Sequence, residues 1–165
     1  MKTKLLGALA ALALLGACSS NDDQAGAATG AGASAGGAGM GMGGSARPGS
    51  QEDLVANVGD RVFFDTDQST VRGDQREILG RQAAWLNQYP QVQATIEGHA
   101  DERGTREYNL ALGQRRANSA RDALVASGVN SSRLNVISYG KDRPAALGSD
   151  EQSWAQNRRA VTVVQ

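Results

Sequence analysis

GHADERGTREYNLALGQRRA, residues 98–117, contains the chain's single His (His99), the acidic pair Asp101-Glu102, a Gly104-Thr105 turn, Tyr108-Asn109 and the adjacent arginines Arg115 and Arg116. Just upstream, Val92, Ala94 and Ile96 alternate with Gln93, Thr95 and Glu97, the period-two pattern of a half-buried strand that ends at Gly98. Downstream, Thr105 is a suitable N-cap for a helix from about Arg106 to Ser127, which Gly128 closes. The stretch therefore reads as a strand-to-loop-to-helix junction, a place where sites for small charged ligands are built.

Working outward, Arg61 to Phe64 reads as a short strand, ended by the turn and cap cluster Asp65-Thr66-Asp67 and Ser69-Thr70. Residues 74–89 place Ile78, Leu79, Trp85, Leu86 and Tyr89 on one arc of a helix, with Arg76, Glu77, Gly80 and Arg81 opposite, and Pro90 stops it. Leu134 to Tyr139, ended by Gly140, is a further strand. Residues 151–158 suit a short helix, and Ala160 to Val164 a last strand. The order predicts an α/β sandwich, a βαβαββ domain whose helices cover one face of a small mixed sheet.

On the wheel of the 106–127 helix, Leu110, Gly113, Ala117, Ala120 and Leu124 form the stripe that faces the sheet. Arg115 lies nearly opposite and is expected in solvent. Arg116 lies at the stripe's edge, on the side of Asn109 and Leu112. Two roles are open to it there: a fork held in a partly desolvated crevice for a bidentate carboxylate, or a staple that pairs with Asp101 or another local acid.

The N-terminal segment differs in kind. Lys2 and Lys4 precede the apolar and small-residue run Leu5–Leu15, which is too short to cross a hydrocarbon layer roughly 30 Å thick and reads as a secretion leader over 1–17. Leu15-Gly16-Ala17-Cys18 follows, and it resembles the lipobox of bacterial lipoproteins, in which the Cys becomes the acylated first residue. Cys18 is the single cysteine, so no intrachain disulfide forms. Several acyl chains, at about 0.8 kcal/mol per buried methylene, make a durable anchor. Ser19 in place of Asp implies, in the lipoprotein sorting pattern, the outer membrane. Residues 18–53 hold the acylated Cys and a flexible tether, which from Ser20 to about Ser50 is rich in Gly, Ala and Ser without apolar period. Its thirty or so residues have a root-mean-square span of about 30 Å and a full reach of about 100 Å. The domain itself is expected over 54–165.

Charge and motif content exclude several functions. The 17 Lys and Arg balance 17 Asp and Glu, so no broad capture of nucleic acid is expected. His99 with Glu97 and Asp101 would suggest a metal site, but there is no second His and Cys18 is committed to the lipid anchor, so a catalytic centre's set of about three suitable ligands is not met and no metal or cofactor is expected. No nucleophile elbow is present, and Gly98–Gly104 lacks the Lys and spacing of a phosphate loop. The chain is expected not to be an enzyme; a wall hydrolase using His99 is the catalytic alternative.

GHADERGTREYN, LGQRRA (residues 112–117) and the late Asn157-Arg158-Arg159-Ala160 stand in the order found in the OmpA-like peptidoglycan-binding domain, which residues 60–165 resemble. With the lipobox, the tether, Phe63-Phe64-Asp65 and Ser138-Tyr139-Gly140 followed by Pro144, the chain is similar throughout its mature length to the lipoproteins of Tol-Pal systems. Ala100 departs from the Thr common in the wider family, which removes one possible hydroxyl contact. The resemblance implies an outer-membrane lipoprotein with its domain in the periplasm, which binds the meso-diaminopimelate of peptidoglycan stem peptides without cofactor. Asp101 would accept from the ligand's ammonium and Arg116 would clamp its carboxylate. Asn109 would support the pocket, Phe64 and Asp65 would offer backbone donors, and Asn157 and Arg158 would wall it. It further implies a TolB-type periplasmic β-propeller partner and a role in outer-membrane constriction at division; a generic wall-binding lipoprotein without Tol linkage is the alternative.

Overall fold

A computed structural model describes residues 46–165. The leader, Cys18 and the tether up to residue 45 lie outside the described residues. Four strands form one sheet: β1 (Arg61–Phe63), β2 (Ala94–His99), β3 (Leu134–Gly140) and β4 (Arg159–Val164). They lie in the order β1-β4-β2-β3. β2 and β3 run parallel, with Ile96 opposite Val136, whereas β4 is antiparallel to both β1 and β2. Four helices alternate with them: α1 (Gln51–Asn57), α2 (Arg76–Gln88), α3 (Arg106–Ala126) and α4 (Glu151–Asn157). This is the mixed α/β sandwich read from the sequence, with the expected short helix as α4 before the last strand and with α1 added in front.

The inner face of the sheet is set by the alternation. Val62, Ala94, Ile96 and Ala160 point to the core and meet Leu79, Ala83 and Leu86 of α2 and Ala117, Ala120 and Leu124 of α3. α3 is the crossover that a parallel β2–β3 pair requires. It approaches β2 so closely that a Cβ on Gly98 would overlap the backbone carbonyl of Gly113. Gly140 performs the matching service at the end of β3: its φ is +51° and a Cβ there would lie 2.8 Å from the Leu110 amide.

α1 begins before Leu54, where the apolar pattern puts the onset of order, and so takes in the last residues of the expected tether. At about two turns it is too short to show a period. Its marker is Ser50-x-x-Asp53: Ser50 Oγ accepts from the Asp53 amide (3.3 Å), as an N-cap does. The Asp53 carboxylate is then buried as an acceptor for Gly49 N (2.8 Å), Asn57 Nδ2 (2.6 Å) and Trp85 Nε1 (2.9 Å), which docks α1 on α2. The Gly49 bond first, then that from Trp85, holds its pKa below the usual carboxylate range. No helix among the described residues is long and apolar enough to cross a membrane.

Candidate functional site

Because β4 is antiparallel to both its neighbours, β1, β2 and β3 all point the same way. The loops after the carboxyl ends of β1 and β2, with the first turns of α3, frame one crevice, at the end of the sheet that open α/β folds favour for ligands. The crevice has a volume of about 300 Å³. Asp101, Asn109, Leu112 and Arg116 form its inner wall, and Thr66, Asp67, Arg103 and Tyr108 its rim.

Arg116 is 0 % exposed, deeper than the edge position the wheel assigns to it, because the loop after β1 folds over its head. Nε donates to Gln68 O (2.8 Å), Nη1 to His99 O (2.9 Å) and Nη2 to Asp65 O (3.0 Å), while Cζ lies 5.3 Å from the centre of the Phe64 ring. Of the two roles open on the wheel, the structure thus contains a staple, but one made through three backbone carbonyls and not through Asp101. A guanidinium has five N–H donors. One on Nη1 and one on Nη2 are not used by these bonds, and the charge is not neutralised by them. Burial pushes the pKa down to about 10, against the attraction of Asp101, so the group is a cation at neutral pH.

Asp101 is also buried, at 7 % exposed. Its Oδ1 accepts from Arg103 N and Nε (both 3.1 Å), and its Oδ2 from Arg103 Nη2 (2.6 Å) and Arg158 Nη1 (3.5 Å). Burial pushes its pKa up, but the hydrogen bonds and charge of Arg103 prevail and hold it below the ordinary value. Asn109 fixes the loop between them: its Nδ2 donates to Arg103 O (2.8 Å) and Thr105 O (3.1 Å). Thr105 is the N-cap of α3, accepting from Tyr108 N at 3.2 Å.

The remaining sequence-derived site residues separate. Arg158 is buried behind Asp101, where Nε donates to Phe64 O (3.1 Å) and Nη2 to Glu151 (2.6 Å). Phe64 lies under Arg116, but its amide donates to Arg158 O (2.9 Å) and is spent in the sheet, which corrects its expected part as a backbone donor. Asp65 contributes a carbonyl to Arg116, and its carboxylate lies 3.5 Å from Arg72. Asn157 is not at this cavity. Its Oδ1 accepts from Ala145 N and Ala146 N and its Nδ2 donates to Ala146 O, so it moulds the β3–α4 loop instead. The His99 ring packs 5.7 Å from Tyr139 with both nitrogens buried and without a hydrogen bond, and only its carbonyl reaches Arg116. Among the described residues no three His, Cys, Asp or Glu side chains group as metal ligands.

Three rim residues escape sequence reading. Arg103 forks onto Asp101, and the Tyr108 hydroxyl donates to Asp67, the one non-glycine residue at positive φ (57°) among those described. Arg103 stands two positions from Asp101 in a turn, a spacing that signals such a pair; nothing local joins Tyr108 to Asp67.

Comparison with known proteins shows the family of the chain. Residues 63–158 match the model of the OmpA family. A peptidoglycan-associated lipoprotein of Mesorhizobium japonicum is 63 % identical over 121 residues, 73 % of this chain and 72 % of that one. That of Pasteurella multocida is 39 % identical over 161 residues, covering 96 % of this chain and 95 % of its own. The crystal structure of the peptidoglycan-associated lipoprotein from Burkholderia pseudomallei superposes with a TM-score of 0.63 at 48 % identity, over 64 % of this chain and 90 % of that one.

Proposed function

For a chain that belongs to the OmpA family, among the peptidoglycan-associated lipoproteins, we propose non-covalent binding of peptidoglycan through the free end of meso-diaminopimelate, with no catalytic step. A fully buried guanidinium with two unspent N–H groups, at the wall of a cavity that also holds a buried carboxylate, carries this assignment. The ligand end is a zwitterion. Its carboxylate pairs with Arg116 and its ammonium with Asp101; Asn109 and Arg158 keep the two charges in place, Phe64 supports the Arg116 plane, and Asp65 holds its fork.

Selectivity follows from the same burial. A lysine-type stem peptide presents the ammonium without the carboxylate and leaves the buried Arg116 donors unmatched, at a cost on the order of 1–3 kcal/mol. The lipid on Cys18 anchors the chain in the outer membrane, the tether lets the periplasmic domain search the wall, and the double attachment makes wall binding effectively intramolecular. Similarity to lipoproteins of Tol-Pal systems supports a TolB-type β-propeller as partner and a part in outer-membrane constriction; recovery of such a propeller with the purified chain from an envelope extract tests this, and its absence returns the protein to a wall binder without that link.

Co-sedimentation with diaminopimelate-type sacculi tests the site itself. Asp101→Asn and Arg116→Ala are expected to abolish retention, and Arg115→Ala to leave it intact. Wild-type retention by a folded Asp101→Asn chain would overturn the assignment.

A further inference from the structure

Asp101 is held by two cations that differ in kind. Arg158 reaches it from the protein side: its side chain is 8 % exposed, 3.5 Å away, and tied by other bonds to Phe64 O and Glu151. Arg103 reaches it from the solvent side: its side chain is 39 % exposed and sets two guanidinium nitrogens on the two carboxylate oxygens, Nε on Oδ1 at 3.1 Å and Nη2 on Oδ2 at 2.6 Å. That is bidentate pairing on the one buried acid of the cavity. A ligand ammonium and the Arg103 fork cannot both hold those oxygens, since each needs the same outward lone pairs.

We propose that Arg103 determines the specificity of the site as an internal competitor: a ligand cation gains Asp101 only by exchanging with the Arg103 guanidinium. This rests on the assignment of Asp101 to the ammonium made above and concerns how that subsite is tuned. Arg103 has somewhere to go. Its Cζ already lies 4.2 Å from the centre of the Trp154 ring, and Glu102 and Glu151 attract it from the same side. The loop, moreover, does not depend on its side chain. The Arg103 amide donates to Asp101 Oδ1, and the Arg103 carbonyl accepts from Asn109 Nδ2. Truncation at residue 103 therefore frees the carboxylate without dismantling the turn that presents it.

The exchange makes the ammonium's contribution a difference between two similar ion pairs, while the carboxylate on Arg116 displaces no side chain. The ammonium then adds affinity only to the extent that it outcompetes Arg103, and without the Asp101 charge it would face the unpaired cations Arg103 and Arg158. An Arg that occupies the acid also disfavours inorganic cations and free lysine side chains, which bring no carboxylate to offset the displaced fork.

Titration calorimetry of the full chain in detergent tests this with two peptides: L-Ala-γ-D-Glu-meso-diaminopimelate, and the same peptide with L-2-aminopimelate, which keeps the distal carboxylate and lacks the distal ammonium. Arg103→Ala is expected to tighten the first about tenfold, the scale of a half-exposed charge-assisted pair, and to leave the second unchanged. Arg103→Lys, which retains charge without the fork, is expected in between. Unchanged or weaker diaminopimelate binding by a folded Arg103→Ala chain would overturn the proposal, as would equal tightening of both peptides, which is the signature of a steric gate. Asp101→Asn separates the two levels: loss of binding there with no gain in Arg103→Ala refutes the competitor alone, whereas retained binding refutes the ammonium subsite.

Discussion

Arg116 and Arg133 grip the backbone in the same manner at opposite ends of the sheet. At the amino ends of β2 and β3, Arg133 donates to Val92 O, Leu86 O and Tyr89 O at 2.7–2.9 Å, closing the last turn of α2 onto the strand that follows. At the carboxyl ends, Arg116 joins Asp65 O, Gln68 O and His99 O. The two differ in what surrounds the charge. Arg133 is only half-buried and faces the carbonyl end of a helix, whose partial negative charge and solvent compensate it. Arg116 is sealed from water, bonded only to neutral carbonyls, and borders a cavity with donors unspent. A carbonyl clamp is thus a structural device at one end and a device with surplus charge at the other, and it is the surplus that a ligand carboxylate can use.

The largest effects should come from breaking this pair of clamps separately. Arg116→Ala leaves three carbonyls and a hole under the loop, and urea unfolding is expected to show a loss of about 3–5 kcal/mol together with lost sacculus binding. Arg133→Ala should cost about 1–2 kcal/mol, since water replaces part of the clamp, and leave binding whole. Lost binding in a folded Arg133→Ala chain would erase the distinction. Next in size, Gly98→Ala sets a Cβ against the Gly113 carbonyl, backbone that cannot yield like a side-chain tip. An expected loss of about 2–3 kcal/mol, accompanied by weaker wall binding as α3 shifts Arg116, would tie strand–helix spacing to the cavity end.

His99 permits a pH test. Burial first, then the charges of Arg159 and Arg143, lower its pKa to about 4. The unfolded chain takes up the proton near pH 6.5 and the folded one does not until about pH 4. The contribution is therefore whole above pH 6.5 and is lost as pH falls through that window, by an amount on the order of 3 kcal/mol at most. Chemical denaturation between pH 7 and 4 should show this slope, and His99→Phe should remove it. The smallest effect belongs to Arg115→Ala. Arg115 is exposed and lies 6.0 Å from the centre of the Tyr108 ring, so stability within about 0.5 kcal/mol of wild type and full binding are expected.

Strands and long helices were legible because a buried face forces a period: Ala94 and Ile96 on β2, with Val92 just ahead of it, or Leu79, Trp85 and Leu86 on α2. α1 had no room for a period and was announced only by its Ser50 cap and Asp53. In the site, Asp101, Asn109 and Arg116 could be singled out by motif and wheel. The place of Asn157 in the β3–α4 loop, the spent Phe64 amide and the Tyr108–Asp67 bond could not, because each depends on a partner brought near only by folding.

By itself the amino-acid sequence determined the order of β1, α2, β2, α3, β3, α4 and β4, the capped α3 and the charge types at the junction, all local consequences of side-chain chemistry and short-range period. Only the tertiary structure decided how those charges are spent. Whether Arg116 meets carbonyls or carboxylates, and whether Asp101 is claimed by Arg103, depends on the loops after β1 and β2 meeting α3 in one crevice. The helical wheel already set Arg115 in solvent and Arg116 at the edge of the buried stripe; only the folded loops made Arg116 a buried anchor with donors to spare.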